Sequence, residues 1–373
     1  MITEVGIENF KVFCKCKTFR LSNLNIFAGV NGRGKSTVFQ SLLMLSQSII
    51  KNGNIDELSI NGSYVNLSQF EDALCSYGTD NIIRFSFKTD EPECENLNIG
   101  YEKDTPWKGK ICELNINGKD YFSKNQSLTE DKSGAKPVLQ AYNRDNINKI
   151  FSDFYYVSAS RLGPTLYEEN KEENIYNPLG NLGENRLSVL DSHKKAILEE
   201  VGLWFNKILG NSEFEIKDSE STLQLFMKNN SLMQRKAKSI NMGFGYSYIL
   251  SIIITILLAK KGSVIFIENP EAHLHPKAQA KLMEMICEYT TKEIQFMIET
   301  HSEHIVNSAR LYSLQPEKTI INDNISVHFF DEDFNVSEIK IEKNGLIKNW
   351  PSGFFDLERQ QLMEILQLSQ KIK

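Results

Sequence analysis

A chain of 373 residues is too long for one minimal domain and long enough to bury a sizeable core. Hydrophobic residues make up 41 % and charged residues 24 %, an ordinary globular composition that argues against wholesale disorder. The formal charge of −6 gives no global attraction to nucleic acid, so any contact with DNA or RNA must come from a local patch or a partner.

The six cysteines are scattered along the chain without the paired spacing of a zinc site. We therefore expect reduced thiols in a cytoplasmic protein, with Cys14 and Cys16 as half-buried strand residues. The first residues carry an acid and no long apolar run, which is unlike a signal peptide. The most apolar window, 249–259, is too short to cross a bilayer and is predicted to be a buried helix.

Three short strands are predicted within residues 2–28, and a phosphate-binding loop follows them. Residues 29–36 fit the spacing of glycine, four residues, and then glycine, lysine and serine, and an amphipathic helix pattern comes next. The backbone N–H groups of such a loop surround a polyphosphate, and the helix dipole faces the same anion. We expect Lys35 to bind the β and γ phosphates of ATP and Ser36 to bind Mg²⁺ as well. The residues predicted to contact the nucleotide here are Gly29, Asn31, Gly32, Gly34, Lys35, Ser36 and Thr37.

The rest of the first half alternates strands with polar segments. Strands predicted at 82–87, 97–101 and 111–116 form an antiparallel group that we expect to widen the sheet beside the nucleotide. Two polar stretches follow, an exposed loop with a short helix at its end across 117–150, and a long loop across 167–185. The remaining predictions are a buried strand at 154–157, one helix at 186–209, and strands at 214–216 and 223–227.

The second half alternates helix and strand, which is typical of a parallel sheet with crossover helices. Apolar spacing predicts helices at 244–259, 278–289 and 303–311, with strands at 264–267 and 294–298. A hairpin of 327–330 and 339–341 and an amphipathic helix from residue 354 onward complete the chain.

Two acids follow the predicted strand 264–267. At the tip of a parallel strand one carboxylate can reach Mg²⁺ on the β and γ oxygens, while a second deprotonates or orients water. We assign Glu268 to the metal and Glu271 to general base catalysis. Asn269 can only position water, because an amide does not accept the proton. His301, at the end of the next predicted strand, lies where a donor would sense the γ-phosphate.

Gly243, Gly245 and Ser247 open the predicted helix 244–259 and form a second candidate anion site. This site could duplicate the first one in the same molecule, or it could cover the γ-phosphate of ATP bound by a partner in a dimer.

Three other clusters are interpreted as structural. His273 and His275 lack a third ligand for zinc. The acids at 331–333 fall in a predicted hairpin turn and are expected to be solvated. A basic cluster is expected to be a solvated loop, with contact to a nucleic-acid backbone as the alternative; it comprises Lys228, Arg235, Lys236 and Lys238.

Residues 29–36, 243–247, 268–276 and 300–302 together resemble the ABC-type ATPase heads of the SMC, RecF and OLD kind. They resemble more closely the stand-alone AAA-family ATPases of prokaryotic anti-phage defence systems, of the Septu or retron-associated type. Residues 155–164 and 349–356 also resemble segments of that branch. The resemblance covers nearly the whole chain, apart from the polar stretches 117–150 and 165–185.

The resemblance implies an α/β fold, with an ABC-type P-loop head, a mixed central sheet, an antiparallel β subdomain and an inserted helical region. The expected divisions are an N-terminal ATPase lobe at 1–150, an inserted region at 151–235, a C-terminal ATPase lobe at 236–315 and an extension at 316–373. The implied assembly is a head-to-head homodimer, or a higher even oligomer, with each ATP between the phosphate loop of one subunit and residues 243–247 of the other.

Several positions depart from this group. Asn269 stands where many relatives have the catalytic glutamate, so turnover is expected to be slow and the protein could act as an ATP-gated clamp. Tyr248 stands where a glutamine often follows the signature serine. For the Q-loop, Gln69 is a weak candidate.

Three functions fit the resemblance. The first is an ATPase that regulates a separately encoded effector in anti-phage defence, with an HNH-type nuclease as the candidate effector. The second is a RecF- or SMC-like ATPase that binds DNA during repair. The third, an OLD-like ATP-dependent nuclease, is disfavoured because too few residues follow His301 for the added nuclease domain.

Overall fold

The computed structural model describes residues 1–78, 80–122, 144–170, 178–219, 221–229, 234–315, 324–348 and 350–371. The strands in chain order are β1 (Ile2–Glu8), β2 (Lys17–Arg20), β3 (Leu24–Gly29), β4 (Glu57–Ser59), β5 (Ile82–Thr89), β6 (Asn96–Thr105), β7 (Lys108–Ile116), β8 (Lys119–Phe122), β9 (Phe154–Val157), β10 (Glu168–Glu169), β11 (Glu213–Ser219), β12 (Thr222–Lys228), β13 (Ala237–Lys238), β14 (Val264–Glu268), β15 (Gln295–Thr300), β16 (Ile325–Phe330) and β17 (Val336–Ile339). The helices are α1 (Lys35–Asn52), α2 (Phe70–Ala73), α3 (Arg144–Ser152), α4 (Arg186–Ser192), α5 (Lys194–Leu209), α6 (Phe244–Leu258), α7 (Pro276–Thr290), α8 (Glu303–Ser313) and α9 (Leu357–Lys371).

The six-stranded sheet that carries the site has the order β17-β16-β3-β15-β14-β9. Its strands β9, β14, β15, β3 and β16 are parallel, and β17 closes one edge as the antiparallel arm of a hairpin. This arrangement confirms the predicted parallel sheet and the terminal hairpin. Because the strands are parallel, the carboxyl ends of β3, β14 and β15 meet at one edge, where α/β proteins bind ligands.

Each face of this sheet supports a different core. Ile265 and Ile267 of β14 pack into a core with helices α4 to α8. Val264 and Phe266, which point to the other face, pack into a core with α1 and the antiparallel strands. The nearly continuous apolar sequence of β14 follows from burial on both faces.

The antiparallel strands form a sheet of their own, β2-β1-β5-β6-β7-β4 with β8 paired to β7. The predicted antiparallel strands are therefore confirmed, but the expectation that they widen the central sheet is wrong. An antiparallel sheet can bury one face against another layer. Here apolar residues of this sheet share a core with α1, so the helix lies between the two sheets.

A third, four-stranded sheet has the order β10-β12-β11, with β13 paired to β12; three of its strands lie in the predicted inserted region, and β13 follows just after it. The predicted single helix at 186–209 is instead two helices, α4 and α5. They meet at His193, whose φ of −95° and ψ of 10° leave helical geometry.

The predicted loops are resolved in part. The stretch 117–150 contains β8 and ends in α3, as expected, while its residues 123–143 lie outside the described part of the chain. The predicted loop at 167–185 contains the short strand β10, and its residues 171–177 are likewise not described. The chain ends in the predicted helix, α9, whose described side chains are exposed.

Cys14 and Cys75 form a disulfide, with Cα atoms 5.3 Å apart, so the expectation of reduced thiols is wrong for this pair. The expectation failed because local spacing carries no information about cysteines that only the tertiary fold brings together. Cys16, Cys94 and Cys287 are free thiols, and Cys16 is exposed just before β2, so the expectation of a half-buried strand residue is wrong for it. Among the described residues, no helix combines the length and apolarity needed to span a bilayer.

Candidate nucleotide site

The phosphate-binding loop lies between the end of β3 and the start of α1. Gly29 has a φ of 128°, and a Cβ at this position would come within 2.1 Å of the carbonyl oxygen of Phe330. Gly34 precedes α1 with a φ of 107°, and a Cβ there would come within 2.8 Å of the Phe13 ring. Both glycines are therefore required by backbone conformation and by close approach.

Lys35 extends back over this loop. Its Nζ donates hydrogen bonds to the carbonyl oxygens of Gly29 at 3.1 Å and Val30 at 2.8 Å. Burial lowers the pKa of Lys35, while the carboxylates of Glu299 and Glu271 raise it. The ammonium therefore lies inside the loop, where phosphate oxygens can replace these carbonyls.

Two acids end the neighbouring strands β14 and β15. Glu268 is directly opposite Glu299 in parallel register, so the two side chains share the face that carries α1. The Glu299 carboxylate is hydrogen-bonded to the hydroxyl of Ser36. Glu268 Oε2 instead accepts the backbone N–H of Ala159 at 3.1 Å. The structure thus places Glu299, a residue that our sequence analysis did not assign, beside the predicted metal ligand Ser36.

The electrostatics of Glu299 follow from this position. Burial raises its pKa to about 7, and the nearby carboxylates of Glu268 and Glu271 act in the same direction. The Ser36 hydrogen bond and the Lys35 ammonium lower the pKa and oppose this shift. Comparing the ends of the two predicted strands could have revealed this acid, because parallel neighbours present aligned residues on one face.

Glu271 connects the turn after β14 to the end of β15. One carboxylate oxygen accepts the Thr300 hydroxyl at 2.8 Å, and the other accepts the backbone N–H of His301 at 2.7 Å. The ring of His301 is in turn hydrogen-bonded to the backbone of Gly29. Partial burial and the Lys35 charge lower the pKa of His301, which favours the neutral ring. Glu271 therefore positions the histidine against the phosphate loop.

Asn269 occupies a strained position in the same turn. Its φ is 44°, in the left-handed region that asparagine tolerates better than most residues. Its N–H donates to the carbonyl oxygen of Glu299 at 2.8 Å, which holds the turn against β15. The side-chain Oδ1 is buried without a hydrogen-bond partner. An unpartnered amide oxygen is suited to accept a hydrogen bond from water, in line with the predicted role.

Arg161 holds the turn that contains Asn269 in place. Our sequence analysis did not identify this role. Its guanidinium donates to the carbonyl oxygens of Ser158 at 3.0 Å, Glu268 at 2.9 Å and Asn269 at 2.9 Å. It lies 4.8 Å from the centre of the Tyr248 ring on α6. Burial lowers the pKa of Arg161 to about 10. No sequence spacing marks this arginine, because its partners are backbone carbonyls and two of them, on Glu268 and Asn269, are distant along the chain.

The glycine-rich start of α6 is exposed at Gly243 and Phe244. Gly245 is buried, and a Cβ there would come within 2.6 Å of the carbonyl oxygen of His273. Ser247 is fully buried in the single chain and its Oγ has no hydrogen-bond partner, so its contact with the nucleotide of a partner stays a prediction. Position 247 lies in the first turn of α6, but its side chain faces the interior. Sequence spacing alone does not tell which residues of that turn face the solvent. The exposed N–H groups at the helix start remain available.

A cleft of about 710 Å³ lies beside this helix start. Its basic and imidazole side chains are Lys207, His273, His275, Lys277 and Lys281. His275 Nδ1 accepts the backbone N–H of Lys277 at 3.3 Å and begins α7, while His273 packs against the Tyr248 ring at 4.9 Å between centroids. Both histidines thus have structural contacts of their own.

The remaining predicted residues have local roles. Gln69 is exposed and caps α2 together with Asp72. In the hairpin turn, Asp331 Oδ1 accepts backbone N–H groups of residues 333 and 335. Within the basic cluster, Lys236 forms an ion pair with Glu215 at 3.5 Å.

The site fits a nucleotide with Mg²⁺. Magnesium sites of this kind use one or two carboxylates, and waters and phosphate oxygens complete the coordination. Ser36 and the two acids on β14 and β15 supply such groups, and Glu299 Oε2 is buried without a hydrogen-bond partner. In the described part of the chain no three His, Cys, Asp or Glu side chains form a metal site by themselves.

Comparison with solved structures shows the same fold in SMC heads. A structure titled "Crystal structure of the SmcHead bound to the C-winged helix domain of ScpA" matches with 12 % identity and a TM-score of 0.56, and the match covers 92 % of this chain and 99 % of that one. The SMC head domain from Thermotoga maritima matches at 11 % identity and a TM-score of 0.44, over 91 % of this chain and 99 % of that one. The Smc head domain with an extended coiled coil bound to the C-terminal domain of ScpA, from Pyrococcus furiosus, matches at 11 % identity and 0.47, over 98 % and 99 %.

A search of curated proteins found no match. Two family models match the sequence. One, described as a protein of unknown function (DUF3696), covers residues 320–365. The other covers residues 24–307, which include the phosphate loop, the start of α6, both strand-end acids and His301. The chain therefore belongs to the AAA_21 family, described as "AAA domain, putative AbiEii toxin, Type IV TA system".

Proposed function

We propose that this chain binds and hydrolyses ATP with Mg²⁺, dimerises head to head around two nucleotides, and regulates a separately encoded effector in anti-phage defence. The observation that carries the proposal is the convergence of Lys35, Ser36, Glu268, Glu299 and His301 at one edge of the parallel sheet. Phosphoryl transfer in enzymes with a phosphate-binding loop uses a lysine on the phosphates together with a hydroxyl and an acid on Mg²⁺, and this edge of the sheet supplies all three.

Each residue of the site has a separate proposed role in hydrolysis. Lys35 stabilises charge on the β and γ phosphates, and the neutral His301 ring donates to the γ-phosphate or to the attacking water. Bound Mg²⁺ supplies charge neutralisation on the β and γ oxygens. Glu271 is the proposed general base, and Asn269 positions the attacking water. Both oxygens of Glu271 already accept hydrogen bonds, and Asn269 is not a base, so slow turnover is expected.

Dimerisation would use the exposed start of α6. A helix N-terminus with free N–H groups favours an anion. In a head-to-head pair, Gly243 and Phe244 of one subunit would face the γ-phosphate held by the partner's loop. ATP would then be part of the interface, so its binding and loss would assemble and release the dimer.

Regulation of an effector is supported by the family description, which names a toxin of a type IV toxin–antitoxin system. An SMC head solved together with a ScpA domain is an example of this fold with a protein partner. The proposed partner here is an effector encoded beside this chain, with an HNH-type nuclease of the Septu or retron-associated kind as the candidate.

The test is the mass and composition of the complex expressed from its native operon, with and without ATP. We expect a second protein to co-purify and ATP to change the assembly of the wild type but not of Lys35→Ala. Lys88→Ala, which changes an exposed lysine on the antiparallel sheet, is the control. A chain that runs alone, dimerises with ATP and binds DNA would replace effector regulation with a RecF- or SMC-like clamp.

Gly243→Glu tests the dimer separately. A Cβ at Gly243 has open space around it, with Tyr246 at 3.9 Å, and its φ of −62° suits any residue. The added carboxylate should repel the partner's γ-phosphate. We expect ATP binding by the monomer to persist while ATP-dependent dimerisation is lost in sedimentation measurements. Dimerisation at the wild-type ATP concentration would contradict this interface.

A further inference from the structure

We propose that Glu299 is a direct Mg²⁺ ligand of this site and acts together with Ser36. The inference rests on the proposed function and deepens it, because it gives the metal a ligand from the strand between the phosphate loop and β14. It also gives a role to an acid that the general pattern of a phosphate loop and one acid-tipped strand leaves unassigned.

The position of Glu299 supports this role. Strand β15 lies between β3 and β14, and Glu299 pairs in register with Phe27 on one side and Glu268 on the other. Its side chain therefore projects from a strand directly beside β3, which leads into the loop, and lies on the same face as α1. There it is hydrogen-bonded to Ser36, the hydroxyl that binds Mg²⁺ in loops of this type.

The surroundings of Glu299 are incomplete without a cation. Glu299 is only 7 % exposed, and its Oε2 has no hydrogen-bond partner. Two other carboxylates, Glu268 and Glu271, raise the free energy of its charged form. Lys35 is attractive, but its Nζ already donates to two loop carbonyls. A divalent cation between Ser36 and Glu299 would satisfy the free oxygen and offset the repulsion.

A buried structural carboxylate in the same protein looks different. Glu168 is 6 % exposed, and Arg186 forms an ion pair with it at 2.8 Å. Its second oxygen accepts the N–H of Leu187 at 3.2 Å. Both oxygens are therefore satisfied by the protein itself, which is the usual condition of a buried charge that has only a structural role.

Glu268 has a different relation to the metal. It lies one strand farther from the loop, and Oε2 is engaged by Ala159. The side chain also contacts the Tyr156 hydroxyl. We assign Glu268 a contact with the water molecules that coordinate Mg²⁺. Glu299 is assigned a direct bond to Mg²⁺.

The test uses Glu299→Gln and equilibrium binding of a non-hydrolysable fluorescent ATP analogue, titrated with Mg²⁺. In the wild type, Mg²⁺ should tighten nucleotide binding. In the variant, we expect the Mg²⁺ concentration for half-maximal tightening to rise tenfold or more, while binding in EDTA is unchanged or tighter because a negative charge is gone. Bound Mn²⁺ observed by electron paramagnetic resonance should change its coordination in parallel.

Glu293→Gln is the matched control, because Glu293 lies just before the other end of β15 and its side chain is 65 % exposed. Thermal unfolding of both variants checks that they fold. A Glu299→Gln protein that keeps the wild-type Mg²⁺ dependence overturns the ligand assignment and leaves ATP binding intact. If Glu299→Gln does not fold, Glu299→Asp is used in its place. An unchanged Mg²⁺ dependence and an unchanged Mn²⁺ spectrum in Glu299→Asp would also overturn the ligand assignment. A wild type that does not bind the analogue refutes the proposed function as well.

Discussion

The antiparallel sheet and the edge of the parallel sheet each carry a cluster of carboxylates. The two clusters differ in how far positively charged side chains neutralise them. On the antiparallel sheet, Arg84 donates to Glu113 at 2.8 Å and to Asp80 at 2.6 Å, and it contacts Glu8 at 3.4 Å. These hydrogen bonds raise the pKa of Arg84. The cleft there, about 590 Å³ in volume, is thus lined by charges that already have partners.

At the edge of the parallel sheet, three carboxylates face one lysine whose ammonium is held by carbonyls. Glu299 Oε2 and Asn269 Oδ1 are buried there without partners. Unsatisfied buried polar groups cost free energy, so a folded protein retains them mainly where a ligand completes them. The comparison teaches that a cluster of acids is a candidate ligand site when some of its charges and polar atoms lack partners in the protein. The number of acids alone does not identify such a site.

The largest expected effect is on hydrolysis. Lys35→Ala removes the cation that stabilises the phosphates, and we expect ATP turnover to fall by about 10³-fold. Phosphate release at saturating ATP measures the loss. Lys88→Ala, on the antiparallel sheet, should keep wild-type turnover. Equal losses in both variants would mean that the edge of the parallel sheet is not the catalytic region.

Arg161→Met should destabilise the fold by about 3 kcal/mol. The change removes three hydrogen bonds to carbonyl oxygens at the site and leaves these acceptors buried. Urea unfolding should show the loss, and turnover should also fall because Asn269 is no longer held. A variant as stable as the wild type would show that the turn after β14 is supported by its backbone alone.

The raised pKa of Glu299 predicts a pH dependence in the absence of metal. Its ordinary value is near 4.5, and its value in the fold is about 7. Folding therefore favours the protonated acid, so its contribution to stability is fully present below pH 4.5 and is lost as the pH rises through 7. The loss is at most about 3.5 kcal/mol. In EDTA, the difference in unfolding free energy between wild type and Glu299→Gln should change across this window, and parallel curves would contradict the expectation.

The smallest effect is expected on the antiparallel sheet. Arg84→Gln breaks ion pairs whose partners are partly exposed, so we expect a loss of about 1 kcal/mol. Turnover should stay at the wild-type level, because these charges do not face the nucleotide. A large fall in turnover would show that this sheet communicates with the phosphate loop.

Local pattern was sufficient for much of the fold. The strand and helix on either side of the glycine-rich loop, the alternation of helix and strand after residue 244 and the terminal hairpin are all confirmed. These features depend on glycine spacing, apolar periodicity and turn residues, which act over a few neighbours. The assignment of the antiparallel strands to the central sheet was wrong, because strand periodicity does not say which sheet a strand joins.

The sequence by itself determined that this protein has a loop with the glycine, lysine and serine spacing of phosphate-binding loops, an acid-tipped strand and a histidine on the next strand end, because each is a short contiguous motif. Only the tertiary structure decided how these motifs meet. It brought Glu299 to Ser36, placed Arg161 under the turn at Asn269, buried Ser247 and joined Cys14 to Cys75. These relations depend on strand order, helix rotation and chain crossing, which are set by the burial of whole faces and not by neighbours in sequence.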